Sequence, residues 1–347
     1  MRSSRILTRR DWLSAAGLLT LVGCAGQTKE EPIWVGHIGP VGKRDESAIN
    51  GMQQTLADLV EDEITIAGRR IGVRHVEAKD KARARAEASR LLSVNRVACL
   101  IVGPGVESVA DVVSIARSHG AFVVVLDGTA DRSLADQAVW LGIDPETSGE
   151  MLARYAVAKG QKAYNSTQGI ESEVARGFDR EFQRRGGKLL GPIIDPAQPI
   201  SERIILDVAS DGDRKGKLPT ISLVGAFGQP EVGISKSVRE VWKLVIQPDP
   251  ASLPAEGRTW AERYEKRFGA RPDDDAILAA DAIALIADGL REIAGDDRRK
   301  LVEELMGRSE IAGLTGPIAR KDGRTLRPMW VERTVKGVRV GVEAVPQ

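Results

Sequence analysis

Four short apolar runs, each followed or preceded by a stretch with helical spacing, set the strongest limit on what this chain can fold into. They cover residues 33–39, 71–76, 97–102 and 121–126. Between them, residues 46–60 place Ile49, Met52, Leu56 and Leu59 on one helical face. Residues 83–94 predict an Ala/Arg-rich helix, and residues 106–118 predict another. Runs this uniformly apolar predict strands buried on both faces, as in a parallel sheet between helix layers.

The middle of the chain is less regular. Residues 171–185 predict an amphipathic helix, with Val174, Phe178 and Phe182 at intervals of four and Gly186 as its stop. Residues 188–194 and 220–224 read as strands. Between them the pattern predicts only one helical piece, near residues 201–209, followed by the charged stretch 211–217. Residues 161–169 read as too polar for a buried strand. Towards the end, residues 256–268 carry Trp260, Tyr264 and Phe268 on one stripe. Residues 276–294 are apolar almost all round and therefore predict a buried helix. A further helix is expected over 297–306. Residues 331–335 and 338–342 alternate around Lys336-Gly337, which predicts a terminal hairpin.

The N-terminus reads differently. Arg9 and Arg10 precede an apolar run from Trp12 to Gly23, too short for the roughly 20 residues that cross a bilayer. A basic start, a short apolar core and small residues before a cut point predict an export signal. Leu21, Val22, Gly23 and Cys24 resemble a bacterial lipobox, in which Cys24 is acylated and becomes the new N-terminus; acyl chains hold a protein at a membrane through about 0.8 kcal/mol per buried methylene. The stretch from Thr8 to Leu13 also resembles a twin-arginine signal. The reading is a signal over 1–24 and a tether over 25–31.

A chain of 347 residues is long for one core, which predicts two lobes. Its 50 basic and 49 acidic side chains balance to +1, so nothing favours nucleic acid. With Cys24 lipidated, Cys99 stands alone inside an apolar run and is expected to be a small core residue without a disulfide.

Motifs of catalysis are missing. The three histidines, His37, His75 and His119, share no metal-ligand spacing, and no nucleophile elbow or His-Glu-x-x-His pair is present. Two glycine loops stand out: residues 36–42 after the first run, and residues 103–108 opening the helix after the third. A helix start offers backbone N–H groups and a positive dipole end, suited to a carboxylate. The alternative for either loop is a tight turn without a ligand. The second loop also imitates a dinucleotide fingerprint, with Gly103, Gly105, Ser108 and then Asp127 at the end of the next strand, which leaves a cofactor-binding oxidoreductase as a lesser reading.

Taken in order, these stretches look familiar. "IWVGHIGPVG", "AINGMQQTLADL", "RRIGVRHVEAKDKARARAEASRLLSVNRVACLIVGP", "AILAADAIALIADGLREIAG" and "GLTGPIARKDGRTLRPMWV" resemble the periplasmic leucine/isoleucine/valine-type solute-binding proteins, the type I fold of the ABC-transporter receptors. The resemblance implies an α/β chain of two Rossmann-like lobes joined by three crossing strands. Lobe 1 is then 32–143 plus 249–326, and lobe 2 is 144–248 plus 327–347, with crossings near Asp144, Pro248 and Pro328.

It also implies a role without catalysis, cofactor or metal. A small polar solute such as an amino acid binds between the lobes of a monomeric lipoprotein on the periplasmic side of the cell envelope, which delivers it to an ABC permease. Carried over, the ligand contacts are Pro40, Val41, Ser108, Gly128, Thr129 and Ala130 from lobe 1. Lobe 2 offers Tyr164 in "QKAYNSTQG". Phe227 stands where an acidic residue often holds the ligand's ammonium. Lobe 2 reads as short by about one strand–helix unit. That departure, with Phe227, keeps a second reading open: a sensing or degenerate receptor of the same fold without a transport role.

Overall fold

The apolar runs become strands where their composition places them. The computed structural model describes residues 31–128, 134, 138–161, 163–167, 173–193, 203–209, 220–224, 238–246, 252–321, 324–335 and 338–346; the fold lies within Pro32–Gln347. Strands β1 (Ile33–Gly39), β3 (Cys99–Val102) and β4 (Phe122–Val125) are buried nearly throughout. β2 (Ile71–Glu77) is half-buried instead of buried on both faces, because it forms the edge of the sheet. With β5 (Val139–Trp140) these strands make a five-stranded sheet in the order β2-β1-β3-β4-β5, every pair parallel.

Helices α1 (Lys43–Glu61), α2 (Lys81–Ser93) and α3 (Val109–Ser118) connect the first four strands. Asp80 caps α2 by accepting the N–H of Arg83 at 2.8 Å. Later in the chain, α6 (Ala255–Phe268), α7 (Asp274–Glu292) and α8 (Arg298–Gly307) return to this half. α7 is buried on nearly every face, as its all-apolar sequence requires. It lies so close to α1 that a Cβ on Gly51 would stand 2.1 Å from the carbonyl oxygen of Ala276. Trp260 and Tyr264 of α6 are buried beside them, and the Trp260 Nε1–H donates to Thr55 Oγ1 at 3.1 Å.

A second sheet holds seven strands: β6 (Ala163–Thr167), β7 (Lys188–Ile193), β8 (Arg203–Ala209), β9 (Thr220–Val224), β10 (Val238–Val245), β14 (Trp330–Val335) and β15 (Val338–Ala344). Their order is β15-β14-β10-β9-β8-β6-β7. The polar stretch 161–169 supplies a strand, β6. One expectation is corrected here: the piece near 201–209 is not a helix, and β8 runs antiparallel between β6 and β9. Ile204, Ile205 and Val208 are β-branched and favour a pleated strand over a short helix. A strand thus replaces the helix that a strand–helix–strand unit would place there. β14 and β15 form the expected antiparallel hairpin.

Among the described residues this half has two helices, α4 (Pro145–Ala158) and α5 (Glu173–Arg184). They meet through glycines. A Cβ on Gly149 or on Gly177 would lie 1.9 Å from a carbonyl oxygen of the other helix, Val174 or Glu146. A three-stranded sheet of β11 (Glu310–Ile311), β12 (Ile318–Lys321) and β13 (Arg324–Leu326) completes the fold.

The chain passes between the two large sheets three times: after β5, after β10 and before β14. Each passage is pinned by a polar side chain. Asp144 caps α4 by accepting the N–H of Thr147 at 3.0 Å. Asp274 accepts the N–H of Ile246 at 3.1 Å. At the third passage Arg327 and Asp281 form a fully buried ion pair at 2.6 Å, with Thr315 Oγ1 3.1 Å from the same guanidinium nitrogen and the Leu314 N–H on the other carboxylate oxygen at 2.8 Å. The architecture is two α/β lobes joined by three crossings.

Candidate functional site

In an open parallel sheet, ligands bind at the carboxyl ends of the strands where the strand order reverses. Here that point falls between β1 and β3, since β2 lies on one side of β1 and β3, β4 and β5 follow on the other. The loops after β1, β3 and β4 therefore stand side by side, and they carry the lobe-1 residues named from the sequence.

The first loop leaves β1 at Gly39. It is held by bonds from Ala78 N to Gly39 O and from Gly103 N to Ile38 O, each 2.8 Å. Pro40 is half-buried, and Val41 is 57% exposed, an apolar side chain offered to solvent at the switch point. Gly42, at φ 136°, opens α1 without a side-chain cap.

The second loop turns through Gly105, at φ 79°. Val106 is buried beneath it, Glu107 is exposed, and Ser108 is half-buried. Ser108 sits at the N-cap of α3 in the left-handed region, φ 62°, and its hydroxyl makes no cap bond. A non-glycine residue in that conformation is strained, and such strain clusters at ligand clamps. The N–H of Gly105 donates to the Asp127 carboxylate at 3.0 Å. The acid that a dinucleotide fingerprint would offer to a ribose is turned onto the loop itself.

After β4, Gly128 is buried against the first crossing, where a Cβ would stand 1.9 Å from the carbonyl oxygen of Ile143. Its glycine is thus required by packing. Thr129, Ala130 and Phe227 lie outside the described residues, as do Cys24 and the rest of the proposed signal. Tyr164 is in β6, its backbone paired opposite Leu189 and Val208. The structure brings Pro40, Val41, Ser108 and Gly128 to neighbouring loops of one sheet edge.

Below the first loop lies a polar cluster that spacing along the chain does not reveal. His37 of β1 pairs in register with His75 of β2, and their Nδ1 atoms are 2.9 Å apart. Asp45, in the first turn of α1, folds back onto both rings: its Oδ2 is 3.2 Å from His75 Nε2 and its Oδ1 is 3.8 Å from His37 Nε2. Burial, and then repulsion from His75 whenever that ring is protonated, pull the His37 pKa down to about 3, so this imidazole is neutral at ordinary pH. Gly39 makes room for the carboxylate, since a Cβ there would fall 1.7 Å from Asp45 Oδ1. One signal was available: each histidine is the fifth residue of its strand, in "IWVGHIG" and "IGVRHVE". Parallel strands paired from their first residues put those two positions side by side.

No family model and no curated protein matches the chain. Solved structures do. A leucine-binding protein, LivK, of Thermotoga maritima is similar with a TM-score of 0.66 at 14% identity, over 90% of this chain and 97% of that one. The branched-chain amino acid transporter substrate-binding protein LivJ of Streptococcus pneumoniae, in complex with isoleucine, gives 0.66 at 13% identity, over 90% and 99%. A solute-binding protein of an ABC transporter from R. palustris, in complex with benzoate, gives 0.64 at 14% identity, over 91% and 98%. At such identities the likeness is one of fold, and the fold of this chain is the two-lobed type I architecture of the periplasmic binding proteins.

Proposed function

We propose that this chain is an extracytoplasmic solute receptor without catalytic activity. It binds a small carboxylate between its lobes, closes on it, and presents the closed form to an ABC permease. The observation that carries the reading is Ser108: a strained residue with an uncommitted cap hydroxyl, opening a helix at the switch point of a type I fold. A helix start of this kind suits an anion. Leucine, isoleucine and benzoate, which the names of the similar structures carry, are all carboxylates.

In this proposal the carboxylate sits on the α3 N-terminus and the Ser108 hydroxyl, with Thr129 and Ala130 beside it. Pro40 and Val41 cover its apolar part, Gly128 shapes the wall, and Tyr164 and Phe227 close from lobe 2. The lobes are 32–143 plus 249–326 and 144–248 plus 327–347, and Cys24 carries the lipid that tethers a monomer to the envelope membrane. Phe227 in place of an acid favours an apolar or aromatic carboxylate over a zwitterion.

A thermal-shift screen of aliphatic amino acids, aliphatic acids and benzoates tests the reading. A ligand at 100 times its Kd adds about 2.7 kcal/mol of stability by mass action. The expected result is a shift confined to one carboxylate class. A well-folded sample that responds to none of them defeats the proposal. The antiparallel β8 supports a second reading, a sensor that binds solute without docking on a permease. Co-purification with a permease separates the two.

A further inference from the structure

We propose that His37, Asp45 and His75 form a binding site for one divalent transition-metal ion, beneath the first loop and distinct from the solute site. The inference goes beyond the solute-receptor reading and stands on the cluster alone.

A carboxylate only accepts, so at 3.2 Å from Asp45 Oδ2 the His75 Nε2 carries the hydrogen. When His75 holds that hydrogen alone, its Nδ1 is bare and accepts from the Nδ1–H of His37 at 2.9 Å. That leaves His37 bare at Nε2. This atom faces Asp45 Oδ1 across 3.8 Å, and both are buried without a hydrogen-bond partner. Two lone-pair-bearing atoms thus look at one another with no donor hydrogen between them. A buried polar atom without a partner is unfavourable, because it has lost its bonds to water and gained none. A cation removes both penalties at once.

The geometry suits an ion of the zinc class. One candidate atom from each residue lies within 4.8 Å of the others. Bonds to zinc of about 2.0–2.2 Å take the bare His37 Nε2 and Asp45 Oδ1 as they stand; His75 joins through Nε2 once its hydrogen passes to Nδ1, which breaks the Nδ1–Nδ1 hydrogen bond and turns the half-buried His75 ring away from His37. Two imidazoles and one carboxylate select zinc, cobalt, nickel or copper over magnesium or calcium, which take oxygen ligands. Glycines keep the space beside the bare atoms: a Cβ on Gly39 would strike Asp45 Oδ1, and one on Gly103 would crowd His37 Nε2 at 3.2 Å. The His75 side chain is 28% exposed, which gives the ion a way in and leaves a further coordination position to water. The residues come from two strands and one helix of lobe 1, so the site is complete without lobe 2.

The test uses tag-free protein stripped with a chelator, with no solute added. Zinc titrated by calorimetry, and cobalt by visible absorption, should bind at one ion per chain, with cobalt bands that report nitrogen ligation. His75→Gln and Asp45→Asn should each weaken zinc binding at least about tenfold, while His119→Gln, on the surface, leaves it unchanged. Circular dichroism confirms that the variants are folded. Asp45→Asn is nearly isosteric and His75 is half-exposed, so both are expected to fold. Failure of the folded wild-type protein to bind zinc at concentrations on the order of 0.1 mM overturns the proposal. So does undiminished affinity in both variants, since the cluster would then be a hydrogen-bonded structural triad. Solute shifts measured on the stripped protein keep the two proposals separable.

Discussion

At the scale of single residues, Ser108 carries a cost that its side chain must justify. A left-handed backbone in a non-glycine residue is unfavourable by about 1–2 kcal/mol. Ser108→Gly should therefore raise the melting temperature by about 1–2 °C, the shift that about 1 kcal/mol gives in a chain of this length. Ser108→Ala keeps the strain and should not raise it. Both variants should bind the carboxylate found by thermal shift at least about tenfold more weakly, by calorimetry, because a buried polar partner is left unpaired. The loop around Ser108 was legible in the sequence because glycines and a helix start are local signals. The His37–His75 contact was not, since its partners are 38 positions apart and meet only through the register of two strands. Asp45 was hidden for the same reason: a first-turn acid looks like an ordinary helix start until the strand beneath it is in place.

At the scale of elements, composition foresaw the buried strands and the α7 helix but misjudged β8. Seven residues with three β-branched ones carry no cap, and a helix that short is marginal by itself. The neighbours decide: β6 and β9 each present an unpaired edge, and β8 fills the gap between them. Helix α5 shows the opposite case: the periodicity of residues 171–185 predicts a helix, and one forms over Glu173–Arg184. Its buried Glu181 accepts bonds from Arg184 at 2.6 Å, Arg185 at 2.7 Å and Arg154 at 3.1 Å. The Arg184 bond foremost, then those of Arg185 and Arg154, hold its pKa down at about 2 against the burial that opposes them. A depressed carboxylate stabilises the fold above its unfolded pKa, near 4.5, and loses that contribution as pH falls towards 2. Glu181→Gln should cost about 1–2 kcal/mol at neutral pH, given the solvent around the arginines. In urea melts the gap between variant and wild type should close between pH 4.5 and 2.

At the scale of the whole molecule, the crossings decide how the lobes are related, and the third is the most firmly set. Arg327 and Asp281 tie the segment before β14 to α7, the most buried helix of lobe 1. Removing one partner of such a pair leaves a buried charge uncompensated, at about 3–5 kcal/mol. Asp281→Asn should lower stability by that amount in chemical denaturation. A loss below about 1 kcal/mol would show that the pair is not what fixes this crossing. Two-lobed architecture was readable from length and alternation, whereas the pins were not, because each joins residues distant along the chain. Cys99 lies on β3, the middle strand of the first sheet, wholly buried, with burial pushing its thiol up to about 12. Such a thiol is shut off from alkylating reagents while the lobe is intact. Its labelling rate is therefore a clock for the opening of the entire five-stranded core, and it runs without any introduced probe.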